Sequence, residues 1–511
     1  MAESRVLNTK KNILGGVVNR IVLLLLPFMT RTAIIYTFGA EYLGLNSLFS
    51  SILNVLALAE LGIGSAMVFS MYKPMAEGDD ETVCALLRLY RKLYRIIGSF
   101  ILITGLSLLP FLDSLIKGTP PEGMNIYILY IIFLSGTVVS YFLYAYKSSV
   151  LTAAQHSYIL TNIYSVVSIV SGVTKLLVIL IFKDFYLFCF VAIPFTIFNN
   201  LITNYVVNKN YPQYKCQGTL DKEIITDIKK RVAGLFMYKI CYVFRDTFGS
   251  IVVSAFIGLA MLGEYNNYLY ISTSIAGFLN ILRGSMQASV GNSLVTESEA
   301  KNHDDFRKFH WIYMFLATWC TASMFGMYQS FITVWIGKEY LLDNLTMGGI
   351  CILFLVANNG DMCMTYRQAA GLWWQDKFRP LVESVVNVVL CLVLVKRLGV
   401  LGVVLSSFIC LFFINATWAA WTLYRYYFTS FRLLDYMKRL LFYFLAGIVT
   451  MAVTGFVCHL VPLEGIARLV ANGVVCLIVP PVVIYAIYRM RPERKEAVKF
   501  VRNVIKGGLK R

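Results

Sequence analysis

The chain has 511 residues, 58% of them hydrophobic and only 14% charged, with a formal net charge of +18. A soluble protein of this composition would lack the polar side chains to cover its surface, so the composition points to a membrane. The excess of positive charge does not call for nucleic acid, because the basic residues are sorted along the chain as membrane topology demands.

A hydrocarbon core about 30 Å thick needs roughly 20 mainly apolar residues in a helix. In chain order such stretches are predicted at 13–38, 43–71, 93–113, 124–146, 158–182, 185–207, 232–258, 264–290, 310–335, 344–366, 380–395, 400–423, 440–461 and 466–488. The expected fold class is therefore an all-α polytopic membrane protein with about 14 transmembrane helices. With the N-terminus on the cytoplasmic side, that side holds Arg5, Lys10 and Lys11, the basic residues of 73–95, Lys147, those of 209–231, 301–308, 367–379 and 425–439, and the tail from Arg489 to Arg511. The opposite side holds only Lys117, Lys183, Lys338, Lys396 and Arg397. Both termini are thus expected in the cytoplasm. The basic tail follows from the same sorting and can also rest on anionic lipid head groups.

No cleaved signal peptide is expected, because the first apolar stretch is too long and no small-residue cleavage site follows it. The 11 cysteines are scattered singly with no CxxC pair and read as small buried apolar residues. The four histidines, His156, His303, His310 and His459, are isolated, so neither a metal site nor a cofactor is expected.

Shifting the chain against itself by about 219–220 residues superposes Gly39 and Gly44 on Gly258 and Gly263, with Leu43 on Leu262. Further on, Tyr146-Lys147 with Gln155 falls on Tyr366-Arg367 with Gln375. Six helices separate the copies, an even number, so the repeat is parallel about an axis along the membrane normal. The expected organisation is a six-helix bundle at 1–209, a cytoplasmic linker at 210–231, a second six-helix bundle at 232–428, and helices 13–14 with the basic tail at 429–511. The linker should be an amphipathic surface helix with Ile224, Ile225 and Ile228 on its apolar face. Two like-oriented bundles around a cavity suit alternating access.

Certain segments carry a resemblance. These are Asn8-Thr9-Lys10-Lys11-Asn12, the turn Gly39-Ala40-Glu41-Tyr42-Leu43-Gly44 into Leu45-Asn46-Ser47-Leu48, Ala59-Glu60-Leu61-Gly62-Ile63-Gly64, and Lys73-Pro74-Met75-Ala76-Glu77-Gly78-Asp79. In these the chain resembles the multidrug/oligosaccharidyl-lipid/polysaccharide (MOP) flippase superfamily, and within it the Wzx-type polysaccharide-transport branch. The resemblance implies a MATE-like pair of bundles in a bacterial plasma membrane. It also implies a cargo, an undecaprenyl-diphosphate-linked oligosaccharide, moved from the inner to the outer leaflet. Expected partners are that lipid-linked glycan, membrane lipids, and the glycan polymerase and glycosyltransferases of the same pathway.

Ionisable groups inside spans cost roughly 2.5–3.5 kcal/mol each on insertion scales, so each is a functional candidate. They are Arg20, Arg31, Glu60, Lys175, Lys239, Arg245, Asp246, Arg283, Asp361, Glu383 and Arg468. Glu383 and Arg468 lie near span ends and Arg20 can snorkel, which leaves the deeper ones. Arg20 and Arg31 share a helix face, with Pro27 between them to kink it. Lys239, Tyr242 and Asp246 form an i, i+3, i+7 stripe with Arg245 beside it; Asn280, Arg283 and Gln287 repeat that spacing, and Asn358, Asp361 and Thr365 share another face. In the two-bundle fold that the resemblance implies, helices 1, 2, 7 and 8 line the central cavity. Arg31, Arg283, Arg245 and Lys239 would then bind diphosphate, since arginine offers bidentate charge-assisted bonds to phosphate oxygens. Asn280 and Gln287 would bond sugar hydroxyls, and Glu60, Asp246 and Asp361 would serve ion coupling or gating. The alternative is that the carboxylates pair with neighbouring cations and lock helices together.

Enzyme chemistry is not expected: the chain has no Walker motif, and its in-span carboxylates are few and dispersed. The outer loops are short, the longest near 114–123, unlike a polytopic polymerase. A lipid II flippase and a cation-coupled multidrug exporter remain as alternative readings, and a non-transporting scaffold as a third.

Overall fold

The computed structural model describes residues 25–509 except 61, 62, 119, 122, 155 and 373; the side chains of 59, 227, 230, 231, 233–246, 285, 287–289, 292, 295 and 503–509 are also outside the description. The described chain is helical throughout, with no strand among the described residues. Contacts divide it into two compact units, Met1–Gly263 and Glu264–Arg511.

In the first unit a helix over 25–38 ends at Gly39, whose φ of 96° lies in the left-handed region that favours glycine. Helix Ala40–Leu56 follows, tightens into a 3₁₀ turn at Ala57–Glu60, and resumes as Ile63–Glu77. Asp79 then caps helix Asp80–Ser107 by accepting from the Thr82 N–H. That helix bends by 60° into Leu109–Leu115, and Ile126–Phe142 bends by 51° into Ala145–Ala153, where Tyr144 has a φ of 56°. Helices Ser157–Phe182 and Phe185–Asn210 complete the run.

The expected linker helix is not separate. Residues from Lys222 open a continuous helix, Lys222–Phe256, that includes most of the predicted span 232–258. Its first turns keep the expected face: Ile228 is buried, Ile224 and Ile225 are half-buried, and Lys222, Glu223, Thr226 and Lys229 are exposed. This helix packs against Ala40–Leu56, so the unit boundary falls after Gly263 and not within 210–231.

The repeat has a physical counterpart here. Gly258 has a φ of 135° and breaks the chain between Lys222–Phe256 and Leu259–Thr296, as Gly39 does before Ala40–Leu56. Gly39 N–H donates to Ile34 O and Gly258 N–H to Val253 O, the same step at the same offset. The two turns pack on each other reciprocally. A Cβ on Gly44 would lie 2.1 Å from Leu259 O, and one on Gly263 would lie 2.2 Å from Ala40 O. Glycine is required at both, because backbone meets backbone with no room for a side chain.

In the second unit helix Glu299–Trp335, capped by Ser298, is the hub: it packs against Asn344–Ala369, Leu433–His459 and Gly465–Tyr488. Helices 13–14 of the sequence reading therefore lie within this compact unit. Helix Val400–Tyr426 contains a π turn at Cys410–Asn415, and Arg379–Leu398 packs beside it. The basic tail forms a helix, Arg494–Leu509, whose Phe500 ring meets Phe309 at 5.6 Å. An aromatic core around Phe306, Tyr366, Phe428 and Tyr436 fills one end of the unit.

By length and composition, six described helices can cross a membrane, or eight if each bent pair is one span. The further predicted spans fall on helices of lower hydropathy, such as Lys222–Phe256 and Glu299–Trp335, on the broken pair Ala40–Leu56 and Ile63–Glu77, or partly outside the described residues.

Candidate functional site

Two polar clusters lie inside apolar helices, one in each unit. In the second unit Arg283, on Leu259–Thr296, meets Asp361, on Asn344–Ala369, at 2.7 Å between Nη1 and Oδ1. The other carboxylate oxygen of Asp361 accepts from Tyr313 Oη at 2.9 Å. That hydroxyl also lies 2.9 Å from Asn358 Oδ1, and the Asn358 amide is fixed by donating to Phe354 O. Asn358, Asp361 and Thr365 do share the face predicted from their spacing; the Thr365 hydroxyl returns to Asp361 O.

The sequence alone points Arg283 to phosphate and Asp361 to ion coupling or gating. The structure brings the two together. Both side chains remain partly exposed, at 31% and 23%. Asp361 engages the guanidinium through Nη1, whereas guanidinium has five N–H donors. The remaining donors can take a second oxyanion, and an arriving phosphate would compete with Asp361 for the first.

In the first unit the break at Ala57–Glu60 places the Glu60 carboxylate beside three tyrosines. It accepts from Tyr94 Oη and, at 2.7 Å, from Tyr141 Oη, and Tyr90 Oη donates to Tyr94 Oη at 3.0 Å. Glu60, Tyr94 and Tyr141 line a cavity of about 480 Å³ whose wall also includes Thr137, Ser140, Asn199, Asn200 and Thr203. Asn200 donates to Ser140 Oγ at 3.1 Å. Among the described residues no cation pairs with Glu60. A carboxylate ringed by hydroxyls and amides offers oxygen ligands to a proton or a small hard cation.

Arg31 sits half-buried in the helix over 25–38, and Asn280 is exposed on Leu259–Thr296. The side chains of Lys239, Arg245, Asp246 and Gln287 lie outside the described residues, as does all of Arg20. The Arg20 side of the kink expected from Pro27 lies outside the described residues.

Sequence reasoning missed one buried array. Arg367, Asp376, Arg379 and Glu383 are all nearly inaccessible. Asp376 bridges Arg367 at 2.6 Å and Arg379 at 2.9 Å, and Arg379 reaches Glu383 at 3.0 Å. Asn415 adds a bond to Glu383 at 2.7 Å. The array is charge-balanced. Its signal in the sequence is the i, i+3 and i, i+4 spacing of Asp376, Arg379 and Glu383, which competes with the topological role of basic residues and with the place of Glu383 near a span end. Lys147, at the repeat position of Arg367, is likewise buried, where it bonds Asn208.

No protein-family model and no curated protein matches the sequence. Solved structures do match. The lipid II flippase MurJ in an inward closed conformation superposes with a TM-score of 0.65 at 12% identity, covering 94% of this chain and 98% of that one. An inward-facing multidrug resistance MATE family transporter of the MOP superfamily gives 0.62 at 15% identity, covering 82% and 99%. A mutant of the Vibrio cholerae MATE transporter VcmN gives 0.53 at 15% identity, covering 84% and 98%. At these identities the likeness is one of fold: the chain has the multi-pass membrane architecture of the MurJ and MATE transporters of the MOP superfamily.

Proposed function

We propose that the protein is a flippase for an undecaprenyl-diphosphate-linked oligosaccharide, moving it from the cytoplasmic to the outer leaflet of a bacterial plasma membrane by alternating access. The observation that carries this reading is the partly exposed Arg283 held by Asp361 inside a fold that matches a lipid II flippase over 94% of its length. An arginine within an apolar helix, offering more donors than Asp361 engages among the described residues, suits a diphosphate that must cross the same layer. In this reading both termini are cytoplasmic, the cargo's prenyl tail stays in lipid, and the pathway's polymerase and glycosyltransferases act on either side of the step. Membrane potential, positive outside, would assist outward movement of the anionic head group by about 2.3 kcal/mol per charge per 100 mV.

The test is mass spectrometry of polyprenyl-linked glycans from cells with and without the protein. One completed lipid-linked repeat unit should accumulate in the deletion, and Arg283→Ala at normal membrane abundance should not clear it. An unchanged lipid pool in the deletion, or full clearance by Arg283→Ala, would refute the proposal. A second reading, cation-coupled export of a small molecule, is favoured by the hydroxyl-ringed Glu60 cavity; altered sensitivity to cationic dyes in the deletion would support it.

A further inference from the structure

A further polar region is separate from both clusters and from the buried array. It lies in the second unit, where Glu299–Trp335 and Leu433–His459 end and Asn344–Ala369 and Gly465–Tyr488 begin. A cavity of about 720 Å³ opens there, within the size range of small-molecule sites. Arg468 and Asn472, one turn apart on Gly465–Tyr488, share its wall.

Three features of this wall ask for an anion. Arg468 occupies the first turn of its helix, where the dipole disfavours a cation. Its Nε is buried with no hydrogen-bond partner. The helix has no side-chain cap: the Glu464 carbonyl takes the Arg468 N–H at 3.3 Å but its side chain bonds none of the first-turn N–H groups, so those before Arg468 remain available beside it.

A fourth, independent observation concerns Asn472, which is 2% exposed. Its Nδ2 donates to Gly326 O at 3.2 Å and Ser330 Oγ at 3.0 Å, which fixes the amide. Its Oδ1 is buried and has no partner. A buried amide oxygen left unpaired is destabilising, and a ligand hydroxyl would satisfy it. Nearby, Asn344 is held by Gln329 at 3.0 Å, and Lys338 and His459 add donors. Glu464 is the one carboxylate on this wall, so the ionised side chains balance to net positive.

We propose that this cavity is a second binding site, one for an oxyanion carried on a polyol. Arg468 and the helix N-terminus hold the carboxylate or phosphate, and Asn472 Oδ1 accepts from a hydroxyl of the same molecule. Two sources share that chemistry: an acidic sugar, and a glycerol-phosphate lipid head group. The site lies on the face opposite the basic tail helix, which in the topology read from the sequence is extracytoplasmic.

The experiment is a binding titration of the full-length protein in detergent with D-glucuronate, sn-glycerol 1-phosphate and, as neutral control, glucose at matched ionic strength. Wild type should bind at least one charged probe and not glucose. Glucuronate alone would identify a sugar site, and glycerol phosphate alone a lipid head-group site. Arg468→Gln should weaken binding about tenfold or more, the worth of one charged hydrogen bond, and Arg468→Lys should weaken it less. Glu464→Gln, an exposed change that leaves the core untouched, should tighten binding severalfold. The proposal fails if wild type binds neither charged probe. It fails equally if Arg468→Gln folds and binds as wild type does, or if Glu464→Gln leaves affinity unchanged or lower.

Discussion

The reciprocal glycine contact gives a quantitative test of the repeat. Ordinary van der Waals contact begins near 3.4 Å, yet a Cβ at Gly44 would sit 2.1 Å from Leu259 O and one at Gly263 2.2 Å from Ala40 O. Either alanine must therefore push two helix backbones apart by on the order of 1 Å, against a packed interior that resists such shifts. Overpacking of this kind costs about 1–3 kcal/mol. Alanine gains about 1 kcal/mol of helix propensity over glycine, so a net loss means that packing outweighs propensity. Because the two clashes lie on one interface, the gap opened by the first alanine admits the second. Gly44→Ala and Gly263→Ala should then be strongly non-additive, with a coupling of about 0.5–3 kcal/mol. The measurement is denaturant unfolding of the full-length chain in micelles for both singles and the double. Gly291→Ala serves as control, since a Cβ there meets nothing within 4 Å and should be neutral or stabilising. Strictly additive costs, or a neutral single variant at Gly44 or Gly263, would show that the two turns do not share one contact.

Three further outcomes follow from the same geometry. Glu383→Gln removes one charge from a buried, balanced array and should destabilise by about 3–5 kcal/mol in the same unfolding assay, with Asp361→Asn as the contrast. The Arg283–Asp361 pair is partly exposed, so Asp361→Asn should cost under about 1 kcal/mol of stability while changing transport; a loss of several kcal/mol would make the pair a structural lock instead. His303 is buried against Phe431, with Arg439 and Arg307 nearby, and desolvation followed by those charges pushes its imidazole from its ordinary 6.5 down to about 4. The unfolded chain takes up that proton near pH 6.5 and the folded chain only near pH 4, so stability present above pH 6.5 is lost on acidification through that window. His303→Phe should flatten the loss between pH 6.5 and 4, and an unchanged slope would place the acid sensitivity elsewhere.

What the sequence made legible was whatever has a period or a break. Apolar runs of about 20 residues announce helices in a bilayer, and the glycines at 39 and 258 announce breaks in the left-handed region. The Asn358, Asp361 and Thr365 face was legible for the same reason, since helical spacing alone puts those residues together. Pairings between helices have no such signature. Arg283 and Asp361 are 78 residues apart, so nothing local marks them as partners, and each was assigned a separate role. Glu60 could be given an arginine partner as readily as the tyrosines it has.

Position along a span proved a poor guide to burial. Glu383 and Arg468 were set aside because they lie near span ends, where long side chains can reach water. That argument counts distance along the membrane normal and ignores neighbours within the plane. Glu383 is 3% exposed because Arg379 and Asn415 enclose it, and Arg468 keeps a buried Nε because its helix starts inside a cavity formed by three others. In a bundle of this size the end of a helix is often surrounded by the ends of its neighbours, so a charge there can be as desolvated as one at mid-span. The consequence for reading such chains is specific. A charge in the first or last turn should be discounted only when no partner of opposite sign lies three or four residues away and the helix end is capped. Glu383 fails the first condition through Arg379, and Arg468 fails both, because Glu464 lies four residues before it and leaves its helix uncapped.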